Sequence, residues 1–211
     1  MPRWLLATLV FTLAALWWVA HLHSAPLAAT NGGTGAADAC RVLQVPGPIL
    51  EAVQTEQSAP PFRLGNATVT PLAAFSVGAR ILSRENYYVG RETEYSPTDL
   101  ALGWGPMAAP GIADALHVSQ GGRWYRYSWS GDAPLPLSQV QLNSSNMHMV
   151  PANSNAASAL DSLRTGQLVR LDGWLVEIDG DDGWRWRSSL SRGDTGNGAC
   201  EIVLVCQVRT R

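Results

Sequence analysis

The run from Trp4 to Ala20 constrains this chain more than any other feature. It holds Leu5, Leu6, Leu9, Val10, Phe11, Leu13, Leu16, Trp17, Trp18 and Val19, with only Thr8 and Thr12 polar. A helix that is apolar all round has no face to turn toward water, so it belongs in lipid rather than on a soluble core. Seventeen residues reach about 26 Å as a helix, close to a hydrocarbon thickness of about 30 Å. Arg3 precedes the run, and the next basic residue is Arg41. That bias puts the N-terminus inside and the body outside. The Trp17-Trp18 pair stands at the far end, where aromatic belts lie. Cleavage sites are poor: a cut after Ala25 sets His23 at the upstream recognition position, and a cut after Ala29 sets Leu27 there. Residues 1–29 therefore read as a signal-anchor that crosses the membrane through residues 4–20, with a removed signal peptide as the alternative.

The rest of the chain keeps enough apolar residues to bury a core. Overall, 46 % of residues are hydrophobic and 15 % charged, which excludes a disordered chain. A net charge of -2 gives no electrostatic footprint for nucleic acid. All 15 basic residues are Arg, which removes any chemistry that needs a Lys nucleophile, a Schiff base or a phosphate-loop Lys. No cofactor motif stands in the sequence, and none is expected to bind. Residues 30–61 read as a tether and linker. Thr30 to Asp38 shows no periodicity, and a weak helical patch from Ile49 to Val53 ends before Ala59-Pro60-Pro61. Residues 62–211 read as a single globular domain.

That domain is expected to be mainly β with short helices. Phe75, Val77, Ala79 and Ile81 alternate with Ser76, Gly78 and Arg80, the pattern of a half-buried strand. Ser96-Pro97-Thr98-Asp99 carries the signals of a helix start: a capping Ser, Pro at the first helical position, and Asp in the first turn. Ile112 to His117 predicts another helical turn, and Trp124 to Trp129 a strand. Val140 to Val150 alternates as a strand, and Asn153 or Ser154 caps a helix that Gly166 ends. Leu168 to Ile178, a turn at Asp179 to Gly183, and Trp184 to Ser191 form a hairpin that leads through a Gly-rich loop into Glu201 to Val208. Three strands in that order predict an antiparallel meander in a small barrel or curled sheet. Gly173 within the first of them makes the C-terminal third similar to an OB-type barrel.

Three cysteines stand at 40, 200 and 206. Cys200 and Cys206 would lie about 20 Å apart along one strand, too far to bond each other. Any disulfide therefore joins Cys40 to one of them, and Cys200, ahead of the strand body, is the expected partner. The absence of C-x-x-C excludes a zinc ribbon. His117 and His148 with Asp99 or Asp114 have no convergent metal spacing, so no metal site is assigned.

Two groups of residues are candidates for function. Ser144, Ser145, Asn146 and His148 form the densest polar set in an apolar stretch, and on a strand Ser144, Asn146 and His148 share a face. His148 could act as a general base there, with a serine as nucleophile and Asn146 orienting a carbonyl. The second group is aromatic: Trp104 between glycines, with Trp124, Tyr125 and Trp129, could present rings to a sugar or a protein partner.

Ser96 to Met107 (SPTDLALGWGPM), Ser145-Asn146-Met147-His148 and Trp186 to Arg192 together resemble a group of uncharacterised exported bacterial proteins. The resemblance covers about residues 75–208 and implies bacterial export; it carries no activity with it. The combined expectation is a single-pass protein of the bacterial inner membrane with its domain in the periplasm, or a cleaved periplasmic one. The domain would be a non-enzymatic module that binds an envelope protein or glycan, with a hydrolase built on His148 as the alternative.

Overall fold

The computed structural model describes residues 34–45, 50–191 and 200–210. The expected anchor and the Gly193 to Gly198 loop lie outside the described residues. Among those residues, no helix is long and apolar enough to cross a membrane. Among the described residues the first element is helix α1 (Thr34–Val42), then strands β1 (Ala52–Thr55) and β2 (Phe62–Leu64), then the long β3 (Ala67–Asn86) and β4 (Thr98–Gly103). Helix α2 (Pro110–Ala115) leads into the hairpin β5 (His117–Gly121) and β6 (Trp124–Ser128). Helix α3 (Leu137–Leu142), strand β7 (Ser144–Pro151) and helix α4 (Ser154–Ser162) follow. Strands β8 (Leu168–Gly180), β9 (Arg185–Arg187) and β10 (Glu201–Thr210) complete the fold.

The sheet curls into a ring because β3 is long enough to serve two neighbours at different heights. Its first part, from Ala67 to Arg80, pairs antiparallel with β8. Its last part, from Arg80 to Asn86, pairs antiparallel with β4. Register skips at Pro71/Ala73 and Ile81/Ser83 mark the bulges that bend it. From β4 the ladder runs antiparallel to β7, parallel to β10, then antiparallel back to β8. The order β3-β4-β7-β10-β8 thus returns to β3. Alternation along all five strands sends one set of side chains inward. Phe75, Val77, Leu100, Leu102, Met147, Met149, Leu171, Leu175, Val203 and Val205 form one buried cluster, and Leu160 and Leu163 beside α4 join it. The α4 helix starts where expected, with the Asn153 side chain accepting from Ala156 N at 2.9 Å.

Both outer faces of the ring are also covered. Ala36 and Ala39 of α1 pack with Phe62, Trp174, Ile202 and Leu204, and Trp174 Nε1 donates to Ala39 O at 3.0 Å. On another side Leu82, Ala101, Met107, Leu116 and Val140 pack with Val118, Tyr125 and Tyr127 of the β5–β6 hairpin. This double covering is why β3 is buried on both faces rather than half-buried as its alternation suggests.

The mainly β, barrel-like architecture agrees with expectation, and several local readings change. Ser96 to Asp99 does not start a helix; Thr98 to Gly103 is a fully buried strand between β3 and β7. The stretch from Val140 divides into the end of α3 and β7. The final strands do not form a meander, since β9 and β10 lie one after the other along the same edge of β8. Part of the expected tether is α1, and the patch near Val53 is β1. The disulfide joins Cys40 to Cys206, not to Cys200, with Cα atoms 5.4 Å apart. The cause is strand alternation: Cys206 falls on the same face as Ile202 and Leu204, where it packs with Cys40 against the α1 side of the core.

Candidate functional site

Asp99 and His148 face each other across β4 and β7, and Ala101 faces Asn146 one same-face step away. Period two turns Asp99, Asn146 and His148 to the outside of the ring, while Leu100 and Met147 go inside. The outward set is nonetheless buried: Asp99 is 0 % exposed, Asn146 1 % and His148 4 %. The cover is the tip of the β5–β6 hairpin. Gly122 and Arg123 both have positive φ, 59° and 69°, and Gly121 pairs with Trp124, which makes a two-residue turn of the type that suits a twisted hairpin. Glycine holds that conformation without strain, whereas an arginine pays roughly 1 kcal/mol or more for it.

The Arg123 side chain accounts for the strained turn. Its Nη1 donates to Asp99 Oδ1 at 2.7 Å and to Ser96 O at 2.9 Å, and Nη2 donates to Thr93 Oγ1 at 2.9 Å. Its guanidinium lies 4.0 Å from the centre of the Tyr87 ring. Burial raises the Tyr87 phenol above its ordinary range, and its oxygen accepts from the Arg123 backbone N–H at 3.0 Å. Asn146 ties the hairpin to the barrel: its Nδ2 donates to Arg123 O at 3.0 Å and Asp99 Oδ2 at 3.3 Å, and its Oδ1 accepts from Gln120 at 2.6 Å. A buried carboxylate is costly to desolvate unless several donors surround it, and Asp99 has them.

His148 completes the cluster in a different way. Its Nδ1 stands 2.9 Å from Asp99 Oδ1 but makes no hydrogen bond there. Among the described residues three buried side-chain polar atoms lack such a partner, and two of them, His148 Nδ1 and Gln120 Oε1, belong to this cluster. The Trp186 ring lies 4.9 Å from the His148 ring, centre to centre, and tilts 41° to it. Trp186 in turn neighbours Trp184, which stacks on Tyr95 at 5.8 Å. The turn below these rings is held by Arg91, whose guanidinium keeps the Asp182 carboxyl down at about 2. Above the cluster opens a pocket of about 400 Å³, lined by Glu92, Arg123, Trp124, His148, Trp186 and Cys200, among others.

The expected site residues divide between this pocket and other places. His148 and Asn146 are in the cluster. Ser144 is on their face but donates to Val140 O at 2.7 Å and meets Tyr125 Oη at 3.2 Å. Two same-face steps also separate it from His148, about 13 Å. Ser145 is on the opposite face and donates to Glu201. Neither serine can serve His148 as a nucleophile. The aromatic face also divides. Trp104 is 6 % exposed and packs into the barrel interior. Tyr125 and Trp129 turn inward against the covering core, and Trp124, 37 % exposed, borders the pocket alone of the four. Asp99, Arg123, Tyr87 and Trp186 were not singled out as one site. The period-two faces of 98–103 and 144–150 were the signal that could have paired Asp99 with His148. Among the described residues no three His, Cys, Asp or Glu side chains are grouped to hold a metal ion. No family model, curated protein or solved structure matches this chain.

Proposed function

We propose that this is an OB-type barrel acting as a binding module, carried outside a bacterial cytoplasmic membrane by its N-terminal anchor. Supporting the barrel type are a ring order with a single parallel pair, β7 with β10, and a helix, α4, between its third and fourth strands. Barrels of that type take oligosaccharides or oligonucleotides on the face of the second and third strands, between two flanking loops. Here those strands are β4 and β7. The flanking segments are 87–97, which brings Tyr87 and Glu92, and 181–200, which brings Trp186 and Cys200. Supporting the anchor are the apolar run from Trp4 to Ala20 and the resemblance to exported proteins.

The ligand class is an oligosaccharide of the cell envelope. The carrying observation is the pocket itself: two indole rings, Trp124 and Trp186, border a polar floor of Arg123, His148 and Glu92. Aromatic faces stack on sugar rings, and mixed polar groups suit hydroxyls. The net charge of -2 disfavours a polyanion. The hydrolase alternative retains the His148–Asp99 pair but has no serine within reach of it.

The test is a titration of the full-length chain in detergent with a β-1,4-linked N-acetylglucosamine tetramer, followed by tryptophan fluorescence. A saturable change, weakened at least about tenfold by Trp186→Ala through loss of ring stacking, supports the reading. No saturable change, or one that Trp186→Ala leaves alone, overturns it.

A further inference from the structure

With Cys40 bonded to Cys206, Cys200 keeps its thiol, and it lines the same pocket as His148. Three observations tie the thiol to the buried cluster. First, its Sγ lies 4.0 Å from Arg123 O, the same carbonyl that accepts from Asn146. Second, Cys200 immediately precedes β10, and Ile202 of that strand pairs in parallel with His148, so Cys200 stands at the end of the ladder to which His148 belongs. Third, His148 is 4 % exposed, its Nδ1 has no hydrogen-bond partner, and the ring lines the pocket into which the thiol opens. The half-exposed thiol shares its pocket with His148, Arg123, Arg187 and Glu92, and with Glu201 it lies within electrostatic reach of Tyr125. A thiol in such polar, partly cationic surroundings is a reactive one, whereas an inert cysteine sits in apolar packing.

We infer that Cys200 is a nucleophile for thiol–disulfide exchange with low-molecular-weight disulfides that enter the pocket, and that His148 takes its proton. The step is balanced without another reagent. The Cys200 S–H bond breaks and its proton passes to the imidazole of His148. The thiolate attacks one sulfur of the incoming disulfide, a new S–S bond to Cys200 forms and the old one breaks. The departing sulfur leaves as a thiolate and recovers the proton from His148. Asp99 takes no part in the transfer; its Oδ1 stands 2.9 Å from His148 Nδ1. The thiol shares its pocket with the proposed saccharide site, but the exchange needs no saccharide, and neither does its test.

The full-length chain in detergent is treated with bis(2-hydroxyethyl) disulfide, and mixed-disulfide formation is followed by intact mass from about pH 6 to about pH 9, spanning the range in which a thiol ionises. The reference is a synthetic peptide of residues 197–203, which carries the same cysteine without the histidine. The expected result is one adduct per chain, lost in Cys200→Ser. At about pH 7 its rate, relative to its own alkaline plateau, should exceed the peptide's roughly tenfold, because more of the thiol is ionised. His148→Asn should remove that excess. No adduct on the folded chain, a pH profile equal to the peptide's, or a profile unchanged by His148→Asn would each overturn the inference. The comparison with the peptide decides the matter even where His148→Asn fails to melt cooperatively.

Discussion

Arg123 joins backbone strain to chemistry at the level of one residue. Its positive φ opposes its side chain's preference, yet the guanidinium meets Asp99, Ser96, Thr93 and Tyr87 from that one position. Tyr125, in the same covering hairpin, offers a direct check on burial. Burial pushes its phenol up to about 12, against a weaker opposing effect from Ser144. A phenol raised in the folded state contributes stability that is fully present below its ordinary value of about 10 and is lost as pH rises toward about 12. At about pH 11, phenolate absorbance should therefore fall short of the 5 tyrosines and jump when urea unfolds the chain. Full phenolate absorbance before unfolding would show that Tyr125 is not shielded. His148 and Asn146 were readable as neighbours because strand alternation alone puts them on one face. Arg123 was not, because no pattern in Gly121-Gly122-Arg123 says that the second turn residue reaches back to a carboxylate. Trp104 misled for a related reason: its flanking glycines allow close packing as well as display, and Cβ at Gly103 would already stand 3.0 Å from Met107.

Among the elements, β4 and α1 show where local signals lose to tertiary pairing. Ser96-Pro97-Thr98-Asp99 has the residues of a helix start, but Thr98 to Gly103 gain ladders on both edges and burial on both faces. Two neighbouring strands outweigh caps worth about 1 kcal/mol each. The α1 helix was unreadable because its buried face is made of Ala36, Ala39 and Cys40, too small to register as an apolar stripe. The β8 strand was readable, whereas the reason for Gly173 within it, a close backbone approach, shows only in the fold. A Cβ there would lie 2.0 Å from Leu204 O, on the strand that bridges β8 to β7. Gly173→Ala should therefore destabilise by roughly 2 kcal/mol or more through forced separation of β8 and β10. Chemical denaturation of the variant checks this; an unchanged midpoint would mean that the two strands separate without penalty.

At the scale of the whole molecule, one covalent bond fastens α1 to the last strand across a sequence separation of 166 residues. A loop of that length restrains the unfolded chain strongly, so Cys40→Ser with Cys206→Ser should lose about 2–5 kcal/mol. The measurement is the melting temperature of the double variant against the native chain under non-reducing conditions. Equal values would assign the attachment of α1 to Ala36, Ala39 and the Trp174 hydrogen bond alone. The ring itself depends on β10 as well, since it is the strand that touches both β7 and β8.

Synthesis proceeds from the other end, so every earlier strand must wait for that final segment before the circle can shut. A chain emerging residue by residue would spend most of its birth as an open ribbon with two unsatisfied margins. Such a polypeptide stays pliable until its last strand is made, and the circle locks only then.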